Sequence, residues 1–119
     1  MKQVLLIMGI AALSGVLVGA ASVNNLANAD GKSIFLESKC QNCHSIESQG
    51  IKRASEPKPG DPVPSDLSGA GLKHNASWIT DWLNKEVELD GKKHLKKFKG
   101  SASDLETLST WLASLKKKH

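Results

Sequence analysis

The chain has 119 residues, with 16 Lys+Arg against 12 Asp+Glu, two cysteines, two methionines and no tyrosine. That leaves room for one small domain, alone or behind a targeting segment, and excludes a dinucleotide-binding domain joined to a substrate domain, or an α/β barrel. At 39% hydrophobic and 24% charged residues it is neither a disordered tail nor a multi-span membrane protein, and two cysteines are too few for a disulfide-stapled mini-protein or a four-thiolate zinc ribbon.

Residues 1–29 have the pattern of a secretory signal peptide. Lys2 supplies a basic start, Val4 to Val23 is uncharged and mostly apolar, and Ala27-Asn28-Ala29 is a small-x-small exit just before Asp30. Cleavage after Ala29 and export to the periplasm are therefore expected. The competing reading is an uncleaved anchor in the inner membrane, since the uncharged stretch is nearly long enough to span a bilayer. Gly9, Ser14, Gly15 and Gly19 dilute its hydrophobicity and favour cleavage, after which no membrane anchor is expected. No cysteine lies near the exit, which speaks against a lipoprotein. Residues 30–119 then form the mature domain, with 15 basic against 12 acidic residues, a net +3. A domain this small buries too little surface to be comfortable without help. Its aromatics are only Phe35, Trp78, Trp82, Phe98 and Trp111, so a large apolar cofactor would supply what the side chains lack.

The mature chain opens with a short helix over residues 31–42, with Gly31 and Phe35 four apart. All four prolines (Pro57, Pro59, Pro62, Pro64) fall in residues 45–74, which predicts a long irregular connection; loops of that length are usually functional. Residues 76–87 return to helical spacing, with Trp78, Ile79, Trp82, Leu83 and Val87 on one face and Asn75 or Ser77 as N-cap. Asp90-Gly91 marks a turn. For the last helix, Ser103 and Glu106 form a capping-box pattern. Leu105, Leu108, Trp111, Leu112 and Leu115 give it an apolar stripe, and Lys116-Lys117-Lys118 suit its C-terminal dipole. With no alternating strand pattern and no internal repeat, the predicted fold is all-α.

Cys40-Gln41-Asn42-Cys43-His44 is C-x-x-C-H, the attachment pattern of a c-type haem. Two thiols about one helical turn apart can both form thioethers on one edge of a porphyrin, and the following histidine offers a nitrogen to the iron. A zinc site would need more ligands at finger spacing, and a thioredoxin-type motif would need a βαβ context. A bare Cys40–Cys43 disulfide suits an oxidising compartment equally well, but only haem gives His44 a role. Methionine is the common sixth ligand in electron carriers. Here Met1 and Met8 both lie in the leader, which leaves His74, His94, His119 or an open site.

From these residues onward the chain resembles class I cytochrome c over nearly all of residues 30–119. The resemblance rests on the N-terminal helix with Gly31 and Phe35 leading into C-x-x-C-H, the Pro-rich loop, Asp66-Leu67-Ser68-Gly69, and a middle and a C-terminal helix. It implies a cytochrome c fold of three to five helices wrapped around one covalently attached haem, with the terminal helices crossing through Gly31, Phe35 and Trp111. The family's distal methionine sits in a segment like Gly-Lys-Lys-Met-x-x-Phe-x-Gly. This chain has Gly91-Lys92-Lys93-His94-Leu95-Lys96-Lys97-Phe98-Lys99-Gly100, with one extra residue before the phenylalanine and His94 at the methionine's place. The resemblance thus makes His44 the proximal and His94 the distal iron ligand, with Cys40 and Cys43 as thioethers. It also places His74 as a propionate neighbour or a surface residue, and lets at most one of Trp78 and Trp82 reach a propionate, with core packing the competing role for both indoles. Pro64, whose counterpart supports the proximal histidine through its carbonyl, lies three rather than two residues before Leu67.

The implied function is a periplasmic one-electron carrier, lower in potential than His/Met relatives and not an enzyme. Lys92, Lys93, Lys96, Lys97 and Lys99 would form a basic collar steering acidic redox partners, against the plainer reading of a solvated loop. Nucleic acid is not an expected partner. Competing functions are a gas-sensing or peroxidase-like haem protein with a labile or absent distal ligand, and the haem c subunit of a dehydrogenase complex.

Overall fold

The computed structural model describes Gly15 and residues 24–118. Most of the leader predicted for residues 1–29, with Met1 and Met8, lies outside the described residues, as does His119. Among the described residues four α-helices form in chain order: α1 (Asn24–Glu37), α2 (Ala70–Lys73), α3 (Ala76–Leu83) and α4 (Ala102–Ala113). Between them are 3-10 turns at Cys40–Asn42, Glu47–Gln49 and Leu67–Gly69. The only β-type pairings among the described residues are isolated bridges, Ile46–Ile51 and Leu89–Lys92. The fold is all-α.

The core lies where α1 and α3 pack on α4. Phe35, Ile46, Ile51, Ile79, Leu108, Trp111, Leu112 and Leu115 form one buried cluster. All five residues of the predicted α4 stripe are buried, each large side chain contributing about 1.5–3 kcal/mol. Phe35 meets Trp111 edge to face at 5.9 Å between ring centres. Gly31 makes that crossing possible: a Cβ built there would overlap the Trp111 side chain. Gly71 plays the same part for α2, where a Cβ would overlap the Ala113 carbonyl at the end of α4.

The helix ends depart from the periodicity. The first helix begins earlier, at Asn24, and stops at Glu37 rather than running to residue 42. Lys39 adopts the left-handed conformation (φ 58°), and its N–H donates to the Leu36 carbonyl. The middle helix stops at Leu83 rather than 87. There Lys85 (φ 60°) donates to the Trp82 carbonyl and the Glu86 N–H to that of Asp81, the pair of bonds of a Schellman motif. Glycine is the usual residue at such a stop, and lysine gives no signal of one.

Asn75 is the N-cap of α3, its side chain accepting from the Trp78 N–H at 2.8 Å. Helix α4 is capped by Ser101, which accepts from the Asp104 N–H, and not by Ser103, which falls inside the first turn. Its last residue is Ala113, so Lys116-Lys117-Lys118 lie beyond it in a returning tail rather than in the final turn. Asp90 and Gly91 both have positive φ (51° and 74°) and close the predicted turn.

Replacing Gly31 by alanine should force α1 away from Trp111. Overpacking of this kind costs about 1–3 kcal/mol, more than the gain in helix propensity. Denaturant unfolding should show a lower midpoint; an unchanged one would contradict the close crossing.

Candidate functional site

The C-x-x-C-H segment is a 3-10 turn, not the continuation of α1. The left-handed Lys39 introduces it, and the Cys43 and His44 N–H groups both donate to the Cys40 carbonyl (3.1 and 2.9 Å). Cys43, the C-cap of this turn, lies close enough to Cys40 to act on its thiol. Both are free thiols, Cys40 half-buried and Cys43 exposed. Burial, with neighbouring Cys43 adding to it, pushes the Cys40 thiol above its ordinary value.

The segment after His44 is stapled by Asp66. Its carboxylate accepts from the Ser45 hydroxyl (2.8 Å), the Glu47 N–H (2.9 Å) and the Ser68 N–H (2.8 Å). The Leu67 N–H donates to the Ser45 carbonyl, and the buried Ser68 hydroxyl accepts from the Ser48 N–H. The C-terminal tail closes the same knot through Lys117 N–H to the Ser68 carbonyl, and the Gly71 N–H donates to the Leu115 carbonyl. Asp66-Leu67-Ser68-Gly69 thus ties the backbone beside His44 to the end of α4.

His44 is half-buried. Burial lowers its pKa to about 4, with the charges of His94 and Arg53 acting in the same direction. At neutral pH the imidazole is therefore uncharged, the form that binds metals. Its Nδ1 is buried without a hydrogen-bond partner, so the Pro64 carbonyl does not support it here.

Across from His44 stands His94. The two rings lie nearly parallel, 10° apart in plane, with 6.1 Å between centres. His94 Nδ1 bonds the Lys96 carbonyl. A carbonyl only accepts, so Nδ1 carries the proton and Nε2 keeps the lone pair. The loop bearing His94 is held to the end of α3 by the Phe98 N–H on the Leu83 carbonyl (2.9 Å) and Lys85 Nζ on the Leu95 carbonyl (3.4 Å). Lys92, Lys93, Lys96, Lys97 and Lys99 are all exposed around it.

The remaining sequence candidates form a column of rings. Trp82 meets His94 edge-on, with centres 5.6 Å apart and planes at 67°. Trp78 stacks on Trp82 at 5.4 Å, and His74 on Trp78 at 3.6 Å. Trp78 also packs against the core cluster. Burial, then Lys73, lowers the His74 pKa.

Residues 28–116 match the family model described as Cytochrome c. The chain belongs to the cytochrome c family. No curated protein and no solved structure matched it in the corresponding searches. As a member of the family it carries one covalently bound haem c and belongs among electron-transfer proteins.

The residues present fit that group. Two bonds of about 2 Å from one metal to two imidazoles, with about half a ring beyond each, span roughly 6 Å between ring centres. That is the observed spacing of His44 and His94. Arg53 adds an anion-binding group: its Nε donates to the Ser55 carbonyl at 2.7 Å while Nη1 is buried without a partner. A guanidinium with an unpartnered nitrogen could take a carboxylate such as a haem propionate. Sequence reasoning passed Arg53 over, although it is the chain's only arginine among 16 basic residues.

Burial alone would raise the Asp66 carboxyl, but the hydrogen bonds from Ser68, Glu47 and Ser45 outweigh it and bring its pKa to about 2. The folded value lies below the unfolded one, so this stabilisation is complete above about pH 4 and is lost as the pH falls toward 2. Asp66→Asn should therefore cost about 1 kcal/mol at neutral pH, modest because the site is open to solvent. The difference from the parent should close on acidification in urea unfolding series. A gap independent of pH would contradict the staple.

Proposed function

We propose that this chain is an exported, periplasmic one-electron carrier of the class I type, with low-potential bis-histidine ligation. Cys40 and Cys43 form the thioethers, His44 is the proximal ligand and His94 the distal one. The observation that carries this reading is the parallel pair of imidazoles, 6.1 Å apart, one neutral through burial and the other with Nε2 left free. When bound, the haem supplies a one-electron Fe(III)/Fe(II) couple. With imidazoles at both axial positions no substrate reaches the metal, which suits a carrier rather than an enzyme. Imidazole in place of a thioether lowers the potential.

The exposed lysines around His94 support docking to acidic redox partners, through steering that weakens with salt. Among the described residues no helix is long and apolar enough to cross a membrane, and export rests on the leader sequence alone.

His94→Met should raise the midpoint potential by on the order of 100 mV, a fraction of the roughly 0.8 V over which axial ligands tune haem. Protein-film voltammetry checks this, and an unchanged or lower midpoint would count against His94 as ligand. The reduced parent protein should also bind carbon monoxide slowly or not at all at neutral pH; rapid binding would favour a ligand-binding or catalytic role.

A further inference from the structure

A histidine bound to a metal through one nitrogen can still turn about that bond, so its ring plane is set by its surroundings. The Lys96 carbonyl that accepts from His94 Nδ1 comes from the same loop, two residues on. It selects the coordinating nitrogen, but a single hydrogen bond within an exposed loop, held to α3 through Leu83 and Lys85, leaves the ring plane to its packing neighbours. A reference from another element is supplied by Trp82 of α3, whose ring packs edge-to-face with that of His94 at 5.6 Å and 67°.

Trp82 is itself held from behind. Trp78 stacks on it with planes 16° apart, and His74 stacks on Trp78 with planes 13° apart. The helix beneath these rings is anchored by the Asn75 cap, the buried Ile79, and the Thr80 hydroxyl donating to the buried Ser109 hydroxyl of α4 at 2.9 Å. The column therefore runs from the rigid α3–α4 packing to the face of the His94 loop, and against it His94 lies within 10° of the His44 plane.

We infer that Trp82, backed by Trp78, is a positioning residue that holds the His94 ring parallel to His44. This rests on the reading of His94 as an axial ligand. Parallel imidazoles donate into the same iron d orbital, which separates the principal magnetic axes of the ferric protein into a rhombic, three-line spectrum. Crossed imidazoles remove that distinction and leave one dominant feature at large g. Ring orientation is thus observable apart from any electron-transfer activity.

Low-temperature electron paramagnetic resonance of the ferric holoprotein tests the inference in Trp82→Leu, Trp82→Phe and Trp78→Leu. The parent should give the rhombic spectrum of parallel imidazoles. In Trp82→Leu that signal should fall to a minority, replaced by a large-g feature. Trp82→Phe, which keeps an aromatic ring, should restore it, and Trp78→Leu should broaden it while leaving His94 its direct neighbour. Should Trp82→Leu fail to fold, the Trp82→Phe and Trp78→Leu pair still decides. Variants that lose thermal stability yet keep the parent's spectrum overturn the positioning role. A parent lacking any low-spin bis-imidazole signal would instead refute the ligation on which it rests.

Discussion

His44 and His94 stand parallel at 6.1 Å, too far apart to touch, so the gap between them is held from behind rather than by mutual contact. On one side the Cys40–Asn42 turn and the Asp66 carboxylate fix the backbone around His44. On the other, the end of α3 carries the loop of His94. Both sides refer to the same element. The Asp66 segment is tied to the end of α4 through Lys117 and Leu115, and α3 is tied to its middle through Thr80 and Ser109. Helix α4 is the frame against which two imidazoles distant in sequence are placed, and its crossing with α1, allowed by Gly31, sets that frame.

This arrangement also explains how so small a chain serves a large cofactor. The buried cluster lies along α1, α3 and α4, while Cys40, His44, Trp78, Trp82 and His94 are only half-buried. They would form the wall that a flat apolar ring completes, and covalent attachment would spare the protein from enclosing that ring fully. Burial keeps His44 neutral, the form able to bind a metal, and the half-buried Arg53 keeps one guanidinium nitrogen without a partner. Packing and ligand chemistry are one requirement here rather than two.

Much of this was legible in the sequence because it depends on spacing. C-x-x-C-H, the α4 stripe, the Gly31–Phe35–Trp111 crossing, the Asn75 cap and the placing of His94 opposite His44 all follow from residues at fixed intervals or at matching places in the family pattern. What escaped depends on backbone conformation or on contacts between distant segments. Lys39 and Lys85 end two helices in a left-handed conformation usually given to glycine, so periodicity overran both ends. Ser101 and Ser103 each stand three residues before an acid, and spacing alone does not choose between them. Asp66 staples residues some twenty positions earlier, and nothing local to it announces that role. Gly71 belongs to a glycine-rich stretch that suggests a loop, whereas it is needed for the close approach of α2 to α4.

The central claim is that one iron is bound axially by His44 and His94. Near-infrared magnetic circular dichroism of the ferric holoprotein tests it most directly, because the charge-transfer band of low-spin haem reports the chemical identity of both axial ligands. A low-spin band at the position of bis-imidazole ligation is the expected result. A band at the position of thioether or amine ligation, or a high-spin spectrum with an open site, would contradict it.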